Sequence, residues 1–107
     1  MDLHSRILIA DDEPAETALL SQALWRRGFE NIKTTCEASK VVELCSSFEP
    51  DLLILDLHMS EPDGFEILES LRTVEPGLRI LGTTSDTAGE VQRRAMEQGA
   101  HEFLLKP

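Results

Sequence analysis

Cysteine is scarce. The 107-residue chain has two, Cys36 and Cys45, and neither their number nor their C-x8-C spacing makes a disulfide framework or a metal knuckle. Two reduced thiols in or near a core are the expectation, and with them an intracellular, cytoplasmic setting. Basic residues are also in short supply, 10 against 20 acids for a net charge of −10. Such a surface repels phosphate backbones, which excludes nucleic acid as a direct partner of this domain. It fits basic partners or divalent cations instead. No apolar run approaches the roughly 18 residues that a membrane span needs. The N-terminal stretch MDLHSRILIADDEP has an acid at position 2 and only a short apolar run, unlike a secretory leader. Repeats, low-complexity tracts and linkers are lacking too, so a single domain over residues 1–107 is expected.

What is present alternates. RILIA (6–10) is a short apolar run and reads as a buried strand; EPAETALLSQALWRRG (13–28) reads as a helix. Pro14 suits its first turn, Ala18, Leu19, Ala23 and Leu24 are expected to form its apolar face, and Gly28 stops it. Trp25 and Phe29 are expected to pack this helix against a sheet. NIKTTC (31–36) is a second strand with polar alternation, suited to an edge. SKVVELCSSF (39–48) is a second helix, with Ser39 or its neighbour as cap and Pro50 closing the segment. DLLILDL (51–57) is the most continuous apolar run and belongs at the centre of a parallel sheet, covered on both faces. DGFEILESLRTVEPG (63–77) holds a third helix with Phe65, Ile67, Leu68 and Leu71 inward and Asp63 as cap. LRILGTT (78–84), TAGEVQRRAMEQG (87–99) and HEFLLK (101–106) follow as strand, helix and strand. This alternation is that of a doubly wound α/β sheet. Right-handed crossovers then bring the carboxyl ends of all strands to one rim, where such sheets bind ligands.

The residues that follow the strands decide what the rim can do. Asp11 and Asp12 follow the first strand, Asp56 ends the third, Thr83, Thr84, Ser85 and Asp86 close the fourth, and Lys106 closes the fifth. Two carboxylates about 4 Å apart repel by roughly 4 kcal/mol at an effective dielectric of about 20, and one lysine cannot offset three of them. Either one acid takes a proton or a divalent cation is recruited. All-oxygen ligands suit Mg²⁺, with Mn²⁺ as an alternative. A cation beside Asp56, the Lys106 ammonium and the Thr84 hydroxyl would together make a site prepared for a phosphoryl group, with Asp56 as nucleophile. Helix capping explains one of Asp11 and Asp12 but not both together with Asp56.

With ILIADDEP, LLILDLHMSEPDG, the Thr84–Ser85 pair and GAHEFLLKP in order along the chain, the sequence resembles the receiver domain of bacterial two-component response regulators. The resemblance implies a flavodoxin-like five-stranded sheet of order 2-1-3-4-5, here without the usual fifth helix. It implies a signalling domain, not an enzyme, that accepts a phosphoryl group from a histidine kinase or histidine phosphotransfer protein, slowly loses it to water, and acts on an output domain or partner protein. By position, Asp56 resembles the phosphoacceptor, Asp11 and Asp12 the Mg²⁺-holding pair, and the His58 carbonyl a further metal ligand. Lys106 resembles the phosphoryl-pairing lysine, Thr84 the switch hydroxyl and Phe103 the aromatic switch, usually a tyrosine. His58 and Asp86 resemble the positions flanking the phosphoryl group. A cis Lys106–Pro107 bond is implied as well. Ser60 departs from the usual proline and Ser85 from a common alanine. Two rival readings predict otherwise. A phosphatase of the haloacid dehalogenase type would place its nucleophile after the first strand in a D-x-D arrangement, whereas this chain has adjacent aspartates there. A phosphorylation-independent interaction module would not require Asp56, Thr84 and Lys106.

Overall fold

The structure, a computed structural model, describes residues 2–86 and 89–106. Among these residues the strands are β1 (Ile7–Ala10), β2 (Ile32–Thr35), β3 (Leu52–Asp56), β4 (Arg79–Thr84) and β5 (Glu102–Leu105). The helices are α1 (Pro14–Arg26), α2 (Val41–Phe48), α3 (Gly64–Val74) and α4 (Gly89–Glu97), with a 3-10 turn over Ala38–Lys40 ahead of α2. The five strands form one sheet in the order β2-β1-β3-β4-β5, and every pairing is parallel. The doubly wound α/β expectation and its strand order are therefore met. The beginning of the fourth helix, expected from Thr87, and the bond to Pro107 lie outside the described residues.

The apolar run of β3 is central, between β1 and β4, and Leu53 and Leu55 are wholly buried. Successive side chains of a strand point to opposite faces, and the core divides accordingly. Leu8, Ala10, Leu53, Leu55 and Ile80 join Val41, Cys45, Phe65, Leu68, Leu71 and Ala95 on one face. Ile7, Ile9 and Ile54 join Leu20, Leu24, Phe29 and Leu81 on the other. Both cysteines are free, Cys45 buried and Cys36 half-buried. Burial, aided by the negative charge of Glu75, pushes the Cys45 thiol up to about 12, so it behaves as a small core residue. Arg94 of α4 lies over the Phe65 ring of α3, 4.0 Å from its centroid.

Local chemistry sets the ends of the helices. Pro14 opens α1. Gly28, at φ +99°, closes it: Gly28 N–H donates to Trp25 O and Phe29 N–H to Leu24 O, the paired bonds of a left-handed helix stop. Asp63 caps α3, its side chain accepting from the N–H groups of Phe65 and Glu66, and Phe65, Ile67, Leu68 and Leu71 are buried as expected.

Three expectations are corrected. Ala18, Leu19 and Ala23 do not form the inward face of α1: all three are exposed, Leu19 to 67%, while Thr17 is buried and Leu20 and Leu24 pack on the sheet. Thr17 can face inward because its hydroxyl donates to Pro14 O at 3.0 Å. Trp25 does not pack against the sheet and is 60% exposed, whereas Phe29 does pack there. Ser39 does not cap α2, because it lies inside the 3-10 turn and the residue at the cap, Lys40, makes no side-chain cap bond.

Candidate functional site

Parallel strand order places the ends of β1, β3, β4 and β5 along one lip. Asp11 directly follows β1, and its N–H donates to Thr35 O at 3.2 Å, so the chain is still tied to β2 where the acid emerges. Asp56 is the last residue of β3, level with Thr83. Lys106 directly follows β5, and its N–H donates to Thr84 O at 2.7 Å. The side chains converge. One carboxylate oxygen each from Asp11, Asp12 and Asp56 lie within 4.8 Å of one another, and Lys106 Nζ lies 2.6 Å from Asp11 Oδ2 and 3.5 Å from Asp56 Oδ2. Asp11 and Asp56 are buried, 6% and 5% exposed, whereas Asp12 is exposed.

Hydrogen bonds fix the orientation of both buried carboxylates. Asp11 Oδ1 accepts from Glu13 N–H at 3.0 Å and Asp56 Oδ1 accepts from His58 N–H at 3.0 Å, which turns the second oxygen of each toward Lys106. Neither Asp11 nor Asp12 caps α1, since the cap position is Glu13 and it makes no side-chain cap bond. Burial raises the Asp56 pKa above the ordinary carboxylate value; the His58 N–H and the Lys106 charge oppose this, and the Asp11 carboxylate adds to it. Burial alone would lower the Lys106 pKa, but its hydrogen bond to Asp11 and the Asp56 charge outweigh that, and the net shift is upward. Two enclosed acids share one ammonium. An oxygen-only donor set with a charge deficit of this kind fits a hard divalent cation such as Mg²⁺.

The two threonines at the end of β4 part ways. Thr83 directs its hydroxyl to Leu55 O, 3.5 Å away within the sheet. Thr84 is completely buried, and its oxygen accepts from Asp86 N–H at 3.1 Å, so it organises the loop leaving β4. Phe103 stands level with Gly82 across β4–β5. By strand alternation it shares a face with Thr84, and it packs, partly buried, against the larger core. The backbone N–H of His58 thus takes part in the site, while His58 itself is exposed. Ser60 and Ser85, the departures from the expected pattern, are exposed.

Residues 7–107 match the family model of the response regulator receiver domain, and the chain belongs to that family of signalling domains. It is 35% identical over 101 residues to the DNA-binding transcriptional regulator NtrC of Azospirillum brasilense, covering 94% of this chain and 21% of that protein. It is 28% identical over 102 residues to the chemotaxis protein CheY of Bacillus subtilis, covering 95% of this chain and 85% of that protein. The chain thus spans about a fifth of the length of NtrC. Among solved structures, the CheY-like receiver domain protein of Methanospirillum hungatei JF-1 superposes with a TM-score of 0.89 at 25% identity, covering 97% of this chain and 82% of that one. The signal receiver domain of Bermanella marisrubri superposes with a TM-score of 0.86 at 30% identity, covering 97% and 87%.

Proposed function

We propose that this chain, read as one receiver domain over residues 1–107, is a phosphorylation-controlled switch with Asp56 as phosphoacceptor. The observation that carries the reading is the convergence of Asp11, Asp12 and Asp56 with Lys106 on one lip. The donor is a phosphohistidine on a histidine kinase or phosphotransfer protein. An Asp56 carboxylate oxygen attacks the phosphorus in line; the new O–P bond forms as the P–N bond breaks, and the electron pair leaves with the donor imidazole. Asp12 as direct ligand, Asp11 acting partly through water, Asp56 and the His58 carbonyl would hold Mg²⁺, which supplies positive charge to the transferring oxygens when bound. Lys106 supplies a second positive charge at the same place.

The acyl phosphate adds charge and acceptor oxygens. The Thr84 hydroxyl gains a new partner, the loop after β4 moves toward it, and Phe103 repacks, which reshapes the face formed by α4 and β5. That face is read by an output domain or partner protein, and the change is a shift between two populations set by their differential interaction with the phosphoryl group. Slow hydrolysis resets the switch. Among the described residues no helix is long and apolar enough to cross a membrane, and we place the domain in the cytoplasm, with neither nucleic acid nor membrane as its direct partner.

The test is labelling with a small-molecule phosphodonor in the presence of Mg²⁺, read by intact mass. The native chain gains one phosphoryl group and Asp56→Asn gains none. Equal labelling of Asp56→Asn would remove Asp56 from its role.

A further inference from the structure

Asp-Gly at 63–64 reads in the sequence as a helix cap followed by a small residue, and the cap accounts for Asp63 alone. Gly64 needs a separate explanation. It is the first residue of α3 and is buried, yet its backbone is not left-handed, since only Gly28 and Gly99 among the described glycines have positive φ. Conformational freedom is therefore not what the position requires. Space is: a Cβ built on Gly64 would fall inside the contact radius of Leu57 Cα and lie 2.9 Å from both Asp56 O and Leu57 C. These are backbone atoms and cannot swing aside. By contrast, a Cβ on Gly77 or Gly89 meets nothing within 4 Å.

The close approach has a chemical result. Gly64 N–H donates to Leu57 O at 3.2 Å. That carbonyl belongs to the peptide whose other end is the His58 N–H, and the His58 N–H donates to Asp56 Oδ1 at 3.0 Å. On the opposite side, Leu57 N–H donates to Thr83 O at 2.9 Å. Leu57 and Met59 are sunk in the core, so the segment has little slack. Gly64 thus heads a relay that runs from the first turn of α3 through the Leu57–His58 peptide to the carboxylate, and aligned dipoles in such a chain reinforce one another.

We propose that Gly64 is a positioning residue for Asp56: by letting α3 close on the backbone at Leu57, it sets the plane of the Leu57–His58 peptide. That plane fixes the direction of the His58 N–H that orients the Asp56 carboxylate. The inference rests on the metal-assisted phosphoacceptor reading and adds to it a residue that touches neither the metal nor the phosphoryl group. Outer partners of this kind typically change metal affinity by about 10–100-fold when lost.

The experiment is a Mg²⁺ titration, followed by calorimetry and by the amide proton of His58 in NMR, on the native chain and on Gly64→Ala, Asp63→Ala, Gly77→Ala and Asp12→Ala. Gly64→Ala is expected to bind Mg²⁺ about tenfold more weakly or worse and to move the His58 amide signal even without metal, while Gly77→Ala matches the native chain. A folded Gly64→Ala with native Mg²⁺ affinity and an unmoved His58 signal overturns the proposal, whatever happens to its melting temperature. If Gly64→Ala does not fold, Asp63→Ala decides. It loosens the first turn of α3 without adding an atom at position 64 and is expected to weaken Mg²⁺ binding severalfold; native affinity there overturns the proposal. Asp12→Ala separates the two layers. Native affinity in Asp12→Ala defeats the metal reading itself, whereas weakened Asp12→Ala beside an unaffected Gly64→Ala defeats only the role of Gly64.

Discussion

Lys106 Nζ stands 2.6 Å from Asp11 Oδ2 and 3.5 Å from Asp56 Oδ2, so the ammonium of the lip is committed first to Asp11 and only second to Asp56. It occupies the ground a cation would share. Lys106→Gln should therefore raise Mg²⁺ affinity severalfold, measured by calorimetric titration, because the competitor is gone and the negative charge is greater. The metal-free protein should lose about 1–3 kcal/mol, measured by urea unfolding, because two buried carboxylates lose their charged donor. Since folding raises the Lys106 pKa, the stability it contributes is fully present below the ordinary lysine value of 10.5 and disappears as pH rises through the higher folded value.

Asp56 carries the opposite sign. Its pKa is raised, chiefly by burial, so between the ordinary value of 3.8 and the raised one the folded chain binds more protons than the unfolded chain. Ionising Asp56 subtracts stability as pH climbs through that window, and the subtraction is complete above it. Without metal, Asp56→Asn should be more stable than the native chain at neutral pH, and the difference should vanish below 3.8. Urea midpoints across pH read this directly. Adding Mg²⁺ at about a hundred times its dissociation constant should stabilise the native chain by about 2.7 kcal/mol and Asp56→Asn by much less.

Thr83 and Thr84 should separate in function as they do in geometry. Thr84→Ala is expected to accept a phosphoryl group yet leave the NMR signals of α4 and β5 unchanged on phosphorylation. Thr83→Ala is expected to keep the full response, because its hydroxyl is directed to Leu55 O. A normal response in Thr84→Ala would show that the wrong hydroxyl has been assigned.

Trp25 is 60% exposed on the outer side of α1. Its emission should resemble that of indole in water and be open to quenching by iodide, and Trp25→Ala should change stability by no more than about 0.5 kcal/mol. By contrast Leu68, fully buried, should cost about 2–5 kcal/mol as Leu68→Ala.

The sheet and the lip were legible because they follow from runs and endings. An apolar stretch such as Leu52–Leu55 admits few placements, and handed crossovers then align the strand ends, so Asp11, Asp56 and Lys106 could be brought together from order alone. The inward face of α1 was not legible. Ala15, Ala18, Leu19, Leu20, Ala23 and Leu24 are spread around most of the helix, so the apolar pattern fixes no single side. Polar Thr17 goes inside because the helix backbone accepts its hydroxyl, a bond that composition cannot announce. Ser39 was misplaced for a related reason: a 3-10 turn carries the chain into α2, and no hydrophobic period marks one. The space at Gly64 was equally hidden, since it depends on the approach of a backbone seven residues earlier in the chain.

Asp56 ends a strand that is hydrogen-bonded on both flanks, to β1 and to β4, whereas among the described residues β5 is bonded on one flank only. Stiffness therefore falls from the middle of the sheet toward its margin. On the proposed reading, a new load placed at Asp56 would meet a backbone that can hardly yield, and the displacement would be released toward the margin, where β5 carries Phe103.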